Sequence, residues 1–341
     1  METICTIGLD IAKHAFQVHA ATASGHVVLQ KKLRRQQVLS FFSAIPRCTV
    51  AMEACAGSHY WGREFERIGH QVKLIAPAYV RPFVKRQKND AADAEAICEA
   101  AQRPTMRFVG VKTEDAQAAA ILFRARDLLV RQRTQIINAL RGHLMEFGII
   151  VAKGRQNVVK LIKLINESDD TLPPGARPVL ALLVEQLRAI DMQVARLDRE
   201  MIERAKENGI TRRLMTIPGV GAVTAAAITA LAPAAATFRR GRDFAAWIGL
   251  TPLQRSTGGK ERLGRISRMG DRTIRRLLII GASAVARWAV RNGTPAGSWL
   301  AQMIARKPPM LLRVALANKM ARTVWALLAH GGIYRAPVAA V

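Results

Sequence analysis

Residues 3–10 read TICTIGLD and residues 48–54 read CTVAMEA. Both are short apolar runs of the kind that form buried strands, and each carries a carboxylate at its end, Asp10 in the first and Glu53 in the second. A carboxylate in an apolar strand is costly to bury without a partner or a metal. Between the two lie further apolar runs, Ala15–Ala21 and His26–Leu33, with short turns at Lys13-His14 and Ser24-Gly25. Gln36–Ile45 follows as a helix whose apolar side is Val38, Leu39, Phe41, Phe42 and Ile45. Beyond Glu53 a helix over Tyr60–Ile68 leads into a strand over Gln71–Ala76, closed by Pro77, and a short helix ends near Arg86. Then comes Lys88–Ala96, KNDAADAEA, an alanine-rich helical stretch that follows Lys85, Arg86 and Lys88. It sets Asp90 and Asp93 three residues apart, on one helix face.

The order β-β-β-α-β-α-β-α is the ribonuclease H-like pattern. In that topology the first and fourth strands lie side by side and a later helix completes the edge of the site. Asp10, Glu53, Asp90 and Asp93 then meet, and carboxylates so placed suit two metal ions that clamp the attacking and leaving oxygens of a phosphoryl displacement. His14, His59 and His70 read as surface or turn histidines.

The formal net charge of +27, from 52 Lys and Arg against 25 Asp and Glu, points to a polyanionic partner, with nucleic acid the default. The charge is spread along the chain, unlike that of a membrane-surface helix. Cys5, Cys48, Cys55 and Cys98 form no zinc-like spacing and read as reduced thiols of a cytoplasmic protein. METICTIGLD is not a signal peptide. The uncharged stretch Val220–Phe238 is alanine-rich and broken by Pro233, too weakly apolar for a membrane span.

Two long helices are expected in the middle of the chain. Thr113–Phe147 carries Leu122, Leu129, Ile136, Leu140, Leu144 and Phe147 on one side and five arginines elsewhere. Arg177–Asn208 carries a heptad stripe of Leu180, Leu183, Leu187, Ile190, Val194, Leu197 and Met201, which suits a coiled coil within one chain or between subunits. From Gly209 onward the only acids are Asp243, Glu261 and Asp271. Leu214–Ala230 resembles a helix-hairpin-helix unit in which Gly219 and Gly221 let backbone N–H groups approach a phosphate. Gln254–Arg276, QRSTGGKERLGRISRMGDRTIRR, is expected to be a flexible glycine-rich loop at Gly258-Gly259. Lys260, Arg262, Arg265 and Arg268 supply nucleic-acid contacts there, and a helix capped by Asp271 presents Arg272, Arg275 and Arg276 on one face. On chemistry alone, Ser256 in this setting either hydrogen-bonds a phosphate or attacks it.

The four acids together with STGGKERLGRISRMGDRTIRRLL, residues 256–278, resemble the DEDD transposases of bacterial insertion sequences, which include relatives of the Piv DNA invertases. The resemblance runs over essentially the whole chain. It implies a ribonuclease H/RuvC-like α/β domain at 1–112, a helical coiled-coil middle at 113–208 and a mainly α transposase domain with the helix-hairpin-helix-like unit at 209–341. It implies an RNA-guided recombinase, acting on donor and target DNA with a guide (bridge) RNA. Asp10, Glu53, Asp90 and Asp93 match the family's metal-binding acids, for Mg²⁺ or Mn²⁺. Ser256 matches the serine nucleophile, although this chain has Ser256-Thr257-Gly258 where many relatives have two serines before the glycine. A homodimer or homotetramer in the bacterial cytoplasm, associated with the nucleoid, completes the expectation. The competing readings are a Holliday-junction-resolvase-like nuclease that uses water and a DNA-binding architectural protein without chemistry.

Overall fold

The computed structural model describes residues 3–85, 89–167, 172–295 and 297–336, the side chain of Arg155 excepted. Arg86 and Lys88, two of the cations noted ahead of the acidic helix, lie outside the described residues. The chain divides into two compact units, residues 1–117 and 118–341.

The first unit is built on a six-stranded sheet. Its strands are β1 (Thr6–Ile11), β2 (Ala15–Ala21), β3 (Val27–Arg34), β4 (Thr49–Glu53), β5 (Gln71–Ile75) and β6 (Phe108–Val109), in spatial order β3-β2-β1-β4-β5-β6. Strands β1 and β4 are parallel neighbours, as are β4 and β5, while β2, β3 and β6 pair antiparallel with theirs. Helices α1 (Val38–Ser43) and α2 (Ser58–Arg67) cover one face; α3 (Pro77–Val80) and α4 (Asp90–Ala101) cover the other.

Strand alternation sorts the two faces. Ile7, Leu9, Val50 and Met52 join Phe42, Trp61 and Phe65 in one core, whereas Ala51 and Ile75 join Ala96, Ile97 and Ala100 of α4 in the other. At Gly8 the helix lies almost on the sheet. A Cβ added at Gly8 of β1 would stand 2.1 Å from the Ala94 carbonyl oxygen and 2.5 Å from the Cys98 nitrogen. His70, read as a surface or turn residue, is buried instead. The Cys48 N–H donates to its Nδ1 (3.2 Å), which makes Nε2 the protonated nitrogen that donates to the Phe42 carbonyl (2.9 Å).

Among its described residues the second unit is mainly helical and contains a β-hairpin. Helix α5 (Glu114–Glu146) enters it, followed by α6 (Val158–Asn166), α7 (Ala176–Glu207), α8 (Gly209–Leu214), α9 (Ala222–Leu231) and α10 (Gly241–Trp247). Strands β7 (Pro252–Gln254) and β8 (Leu263–Ile266) precede α11 (Arg272–Asn292), α12 (Trp299–Arg306) and α13 (Pro309–His330). The heptad stripe of α7 is used inside this chain. Leu180, Leu187, Ile190 and Val194 pack on Ile136, Leu140 and Leu144 of α5 and on Leu161 and Ile165 of α6. Ion pairs Arg126–Asp198 and Arg133–Asp191 (3.1 Å) run α5 and α7 antiparallel. The middle helices and the C-terminal segment share one unit because Ala120 and Phe123 of α5 and Met201 of α7 belong to the core of α8–α13.

The expected flexible loop is an ordered hairpin. Gly258 and Gly259 both have positive φ, 56° and 75°, and the Lys260 N–H donates to the Thr257 carbonyl at 3.1 Å. Positive φ at both central positions suits the twist of a two-residue hairpin turn, and glycine adopts it without strain.

Replacing Gly8 by alanine is expected to lower the stability of the protein by about 1–3 kcal/mol, since backbone rather than a side-chain tip must give way. Gly110→Ala, where an added Cβ meets nothing within 4 Å, is the control and should leave the urea midpoint unchanged.

Candidate functional site

In the first unit the register pairs Leu9 of β1 with Met52 of β4; Glu53 then ends β4, and Asp10 is the last residue but one of the neighbouring parallel β1. Two-residue alternation puts Asp10 on the same face as Gly8 and Glu53 on the same face as Ala51, the face covered by α4. That helix begins where the Asn89 side chain accepts from the Ala92 N–H at 2.7 Å, which makes Asp90 and Asp93 the acids of its first turn. Carboxylates there are favoured by the exposed N–H groups of the helix start. Asn89 was not singled out in the sequence, although an asparagine just before DAADAEA is an ordinary cap signal.

Asp10 feels the other three acids. The Asp10 carboxyl is pushed up from 3.8 to about 6, first by burial and then by the charges of Asp93, Asp90 and Glu53; only a hydrogen bond with the Ile11 backbone opposes this. Farther along α4, Glu95 pairs with Lys85 (2.5 Å) and Glu99 with Arg103 (2.5 Å). Among the described residues Asp10, Asp90 and Asp93 form no such pair. Among the same residues, no group of three Asp, Glu, His or Cys side chains is closed tightly enough to hold a metal ion as it stands. The donor set nevertheless suits a divalent cation: hard oxygen ligands, several negative charges and a half-buried centre.

In the second unit Ser256 is exposed, beside the turn of the β7–β8 hairpin. Its neighbours are held by the Arg255 N–H bond to the Arg262 carbonyl (2.8 Å) and by the bridge between Thr257 and Lys260. Among the described residues the Ser256 hydroxyl has no hydrogen-bond partner. Lys260, Arg262, Arg265, Arg268 and Arg272 are exposed. Asp271 caps α11, accepting from the Ile274 N–H at 2.8 Å.

Arg272, Arg275 and Arg276 do not share an open face. Arg275 is buried, and its Nη1 donates to the carbonyls of Ile248 (2.7 Å) and Met269 (2.6 Å). Arg276 bonds Asp127 of α5 at 2.5 Å. Arg275 thus clamps the segment after the hairpin to the end of α10. Glycines close the same contact, since an added Cβ would meet the Met269 oxygen at 2.4 Å from Gly249 and the Trp247 oxygen at 1.8 Å from Gly270. In the helix-hairpin-helix-like unit, Gly219 faces α11, where its added Cβ would lie 2.8 Å from the Gly281 oxygen. Its freedom from a side chain therefore serves packing. Gly221 has open space around it.

Two family models match the chain. One, described as a transposase of the IS116/IS110/IS902 family, matches residues 211–294; another, a DEDD transposase model of the IS110 type, matches residues 7–149. The chain belongs to the IS110 family of insertion-sequence transposases. It is 46% identical over 98% of its length to a putative transposase of Sinorhizobium fredii, covering 87% of that protein. It is 45% identical to a probable family 20 transposase of Pseudomonas aeruginosa, over 96% of this chain and 98% of the relative. With the transposase of the insertion element IS1328 from Yersinia enterocolitica it shares 38% identity, over 98% of this chain and 99% of that one. Members of this family are enzymes that act on DNA. No helix among the described residues is long and apolar enough to cross a membrane.

Two outcomes follow from the electrostatics and the clamp. Unfolding returns the Asp10 pKa from about 6 to 3.8, so the folded state binds more protons between those values. Stability of the metal-free protein should therefore fall as pH rises from 3.8 to about 6, and stay low above it. Asp10→Asn is expected to flatten that slope and raise the metal-free melting temperature at neutral pH. In the second unit, Arg275→Met should cost about 2–4 kcal/mol by orphaning two carbonyls, while Arg272→Ala should leave the denaturation midpoint in place.

Proposed function

We propose that this transposase cuts and rejoins DNA under the direction of a guide RNA. In this reading Asp10, Glu53, Asp90 and Asp93 hold Mg²⁺ or Mn²⁺ and Ser256 is the nucleophile. The observation that carries the reading is the convergence of four carboxylates from β1, β4 and α4, three of them raising the pKa of the fourth. Such a cluster is unfavourable by itself and becomes favourable around a cation. A bound divalent ion supplies charge that stabilises the phosphate as negative charge builds on it. Asp10 and Glu53, on rigid neighbouring strands, set the fixed side of the cluster; Asp90 and Asp93 face it from the capped start of α4.

Ser256 suits attack because its hydroxyl is exposed on a short ordered hairpin rich in arginine. Its Oγ gives up a proton as it bonds to phosphorus. One bridging P–O bond breaks, and the departing DNA hydroxyl takes up a proton. The phosphoserine ester retains the energy needed for rejoining, which a hydroxyl of the second DNA completes by the reverse exchange. RNA guidance and a composite site, with acids from one subunit and serine from another in a homodimer or homotetramer, rest on the family resemblance. The net charge of +27 accords with binding RNA and DNA together.

The test incubates the protein with Mg²⁺, donor and target DNA and RNA transcribed from the DNA flanking the gene, and then looks for a covalent protein–DNA adduct under denaturing conditions. The adduct is expected with the parent protein, is lost in Ser256→Ala, and falls at least about a hundredfold in Asp10→Ala. Strand cleavage that survives Ser256→Ala without any adduct would replace this mechanism by hydrolysis with water, as in a junction resolvase.

A further inference from the structure

The second unit contains a groove of about 2050 Å³ between the stem of the β7–β8 hairpin, α11, α12 and α13. Small-molecule pockets run to about 300–1,000 Å³, so its size suits part of a polymer. Its rim is cationic. Arg265 comes from β8, Arg268 from the segment after it, Arg272 from α11, and Lys319 and Arg322 from α13; all five are exposed, and among the described residues no Asp or Glu lines the groove. Arg268 holds its place with φ of 56°, its N–H donating to the Gly249 carbonyl at 3.2 Å.

The floor differs from the rim. Ile280, Met310 and Leu311 are 56%, 58% and 50% exposed, beside Ile279, Val314 and Trp299. Lys319 Nζ sits 4.5 Å from the centre of the Trp299 ring. An open apolar strip of this kind marks a binding surface. Set under a row of cations, it selects its occupant. A duplex shows phosphates outward and keeps its base faces stacked inside, so it would engage the rim and leave the floor in water. An unpaired strand offers both groups, phosphates to the arginines and base faces to the apolar and aromatic floor.

We infer that this groove binds an unpaired nucleic-acid strand, its phosphates on Arg265, Arg268, Arg272, Lys319 and Arg322 and its bases on Trp299, Met310 and Leu311. This rests on the chain's being a nucleic-acid-processing enzyme but requires neither Ser256 nor the four acids. The groove begins at the stem of the hairpin that carries Ser256, so a strand in it is held next to that hairpin.

The test is fluorescence anisotropy with the full chain and labelled oligo-dT, oligo-U and a duplex of equal length. Met310→Gln with Leu311→Gln removes the apolar floor without changing charge. Affinity for at least one single strand should fall about tenfold or more, while duplex affinity stays within about twofold. Loss with oligo-U assigns the strand to RNA and loss with oligo-dT to DNA, and either supports the groove. The control, Val179→Gln with Leu182→Gln, alters two exposed apolar residues of α7 and should change neither. Arg322→Gln should reduce the salt slope of single-strand binding by about 0.7, one phosphate contact. The inference is overturned if both single strands bind the floor variant as they bind the parent, or if duplex affinity falls equally. It is also overturned if the floor variant shifts the mass by light scattering without weakening strand binding, since the floor would then be a contact between copies. The Ser256 adduct is measured separately, so failure here leaves the serine mechanism standing, and failure there leaves the groove.

Discussion

The contact between Gly8 of β1 and the backbone of α4 determines where the acids stand. A side chain at position 8 would collide with the Ala94 carbonyl and the Cys98 nitrogen, so the helix reaches this depth only over glycine. Ala51, Ala96 and Ala100 share the core on that face with Ile75 and Ile97. Because Asp10 lies two residues beyond Gly8 and Asp93 directly precedes Ala94, the contact that seats the helix also brings its first turn toward the strand acid. The raised pKa of Asp10 is the electrostatic consequence, a half-buried carboxyl that feels three others. Packing and electrostatics are therefore one constraint, and a cation bound as proposed would offset the repulsion.

The second unit uses the same device for another purpose. Gly219 against Gly281, and Gly249 and Gly270 against their facing backbones, bring chain segments closer than any side chain permits. Arg275 fills the remaining gap by donating to two carbonyls, a role for which a planar guanidinium with several donors is suited. The hairpin that carries Ser256 is thus anchored at its base although its own residues are exposed. Two of the arginines read from the sequence as phosphate contacts are spent on this internal scaffold. The exposed cations that remain line the groove or the hairpin.

Much of the first unit was legible because β1 and β4 are apolar runs with an acid at or next to the end, and a carboxylate in an apolar strand is costly to bury alone. The bounds of α5 and α7 were equally readable, since thirty-residue stretches with a sustained stripe admit few alternatives. The Asp271 cap followed from its place before a basic helix. What escaped was set by tertiary contact. Gly8 looks like any strand glycine until the helix above it is known. Arg275 and Arg276 are adjacent to Arg272 on paper, yet Met269 and Asp127 claim them through space. The heptad stripe of α7 announces a partner helix but cannot say whose, and here α5 and α6 of the same chain fill it. The hairpin is hidden for a different reason: two adjacent glycines suit a flexible loop and a tight turn alike, and only their positive φ values decide for the turn.

The central claim is that four carboxylates, gathered by the Gly8 contact, form a site for a divalent cation. Calorimetric titration of Mn²⁺ into the nucleic-acid-free protein at neutral pH tests it most directly. The account predicts saturable binding that is abolished or greatly weakened in Asp10→Asn and Asp93→Asn, with a matching rise in melting temperature for the parent protein alone. Equal Mn²⁺ binding and equal thermal stabilisation in the parent and both variants would contradict it.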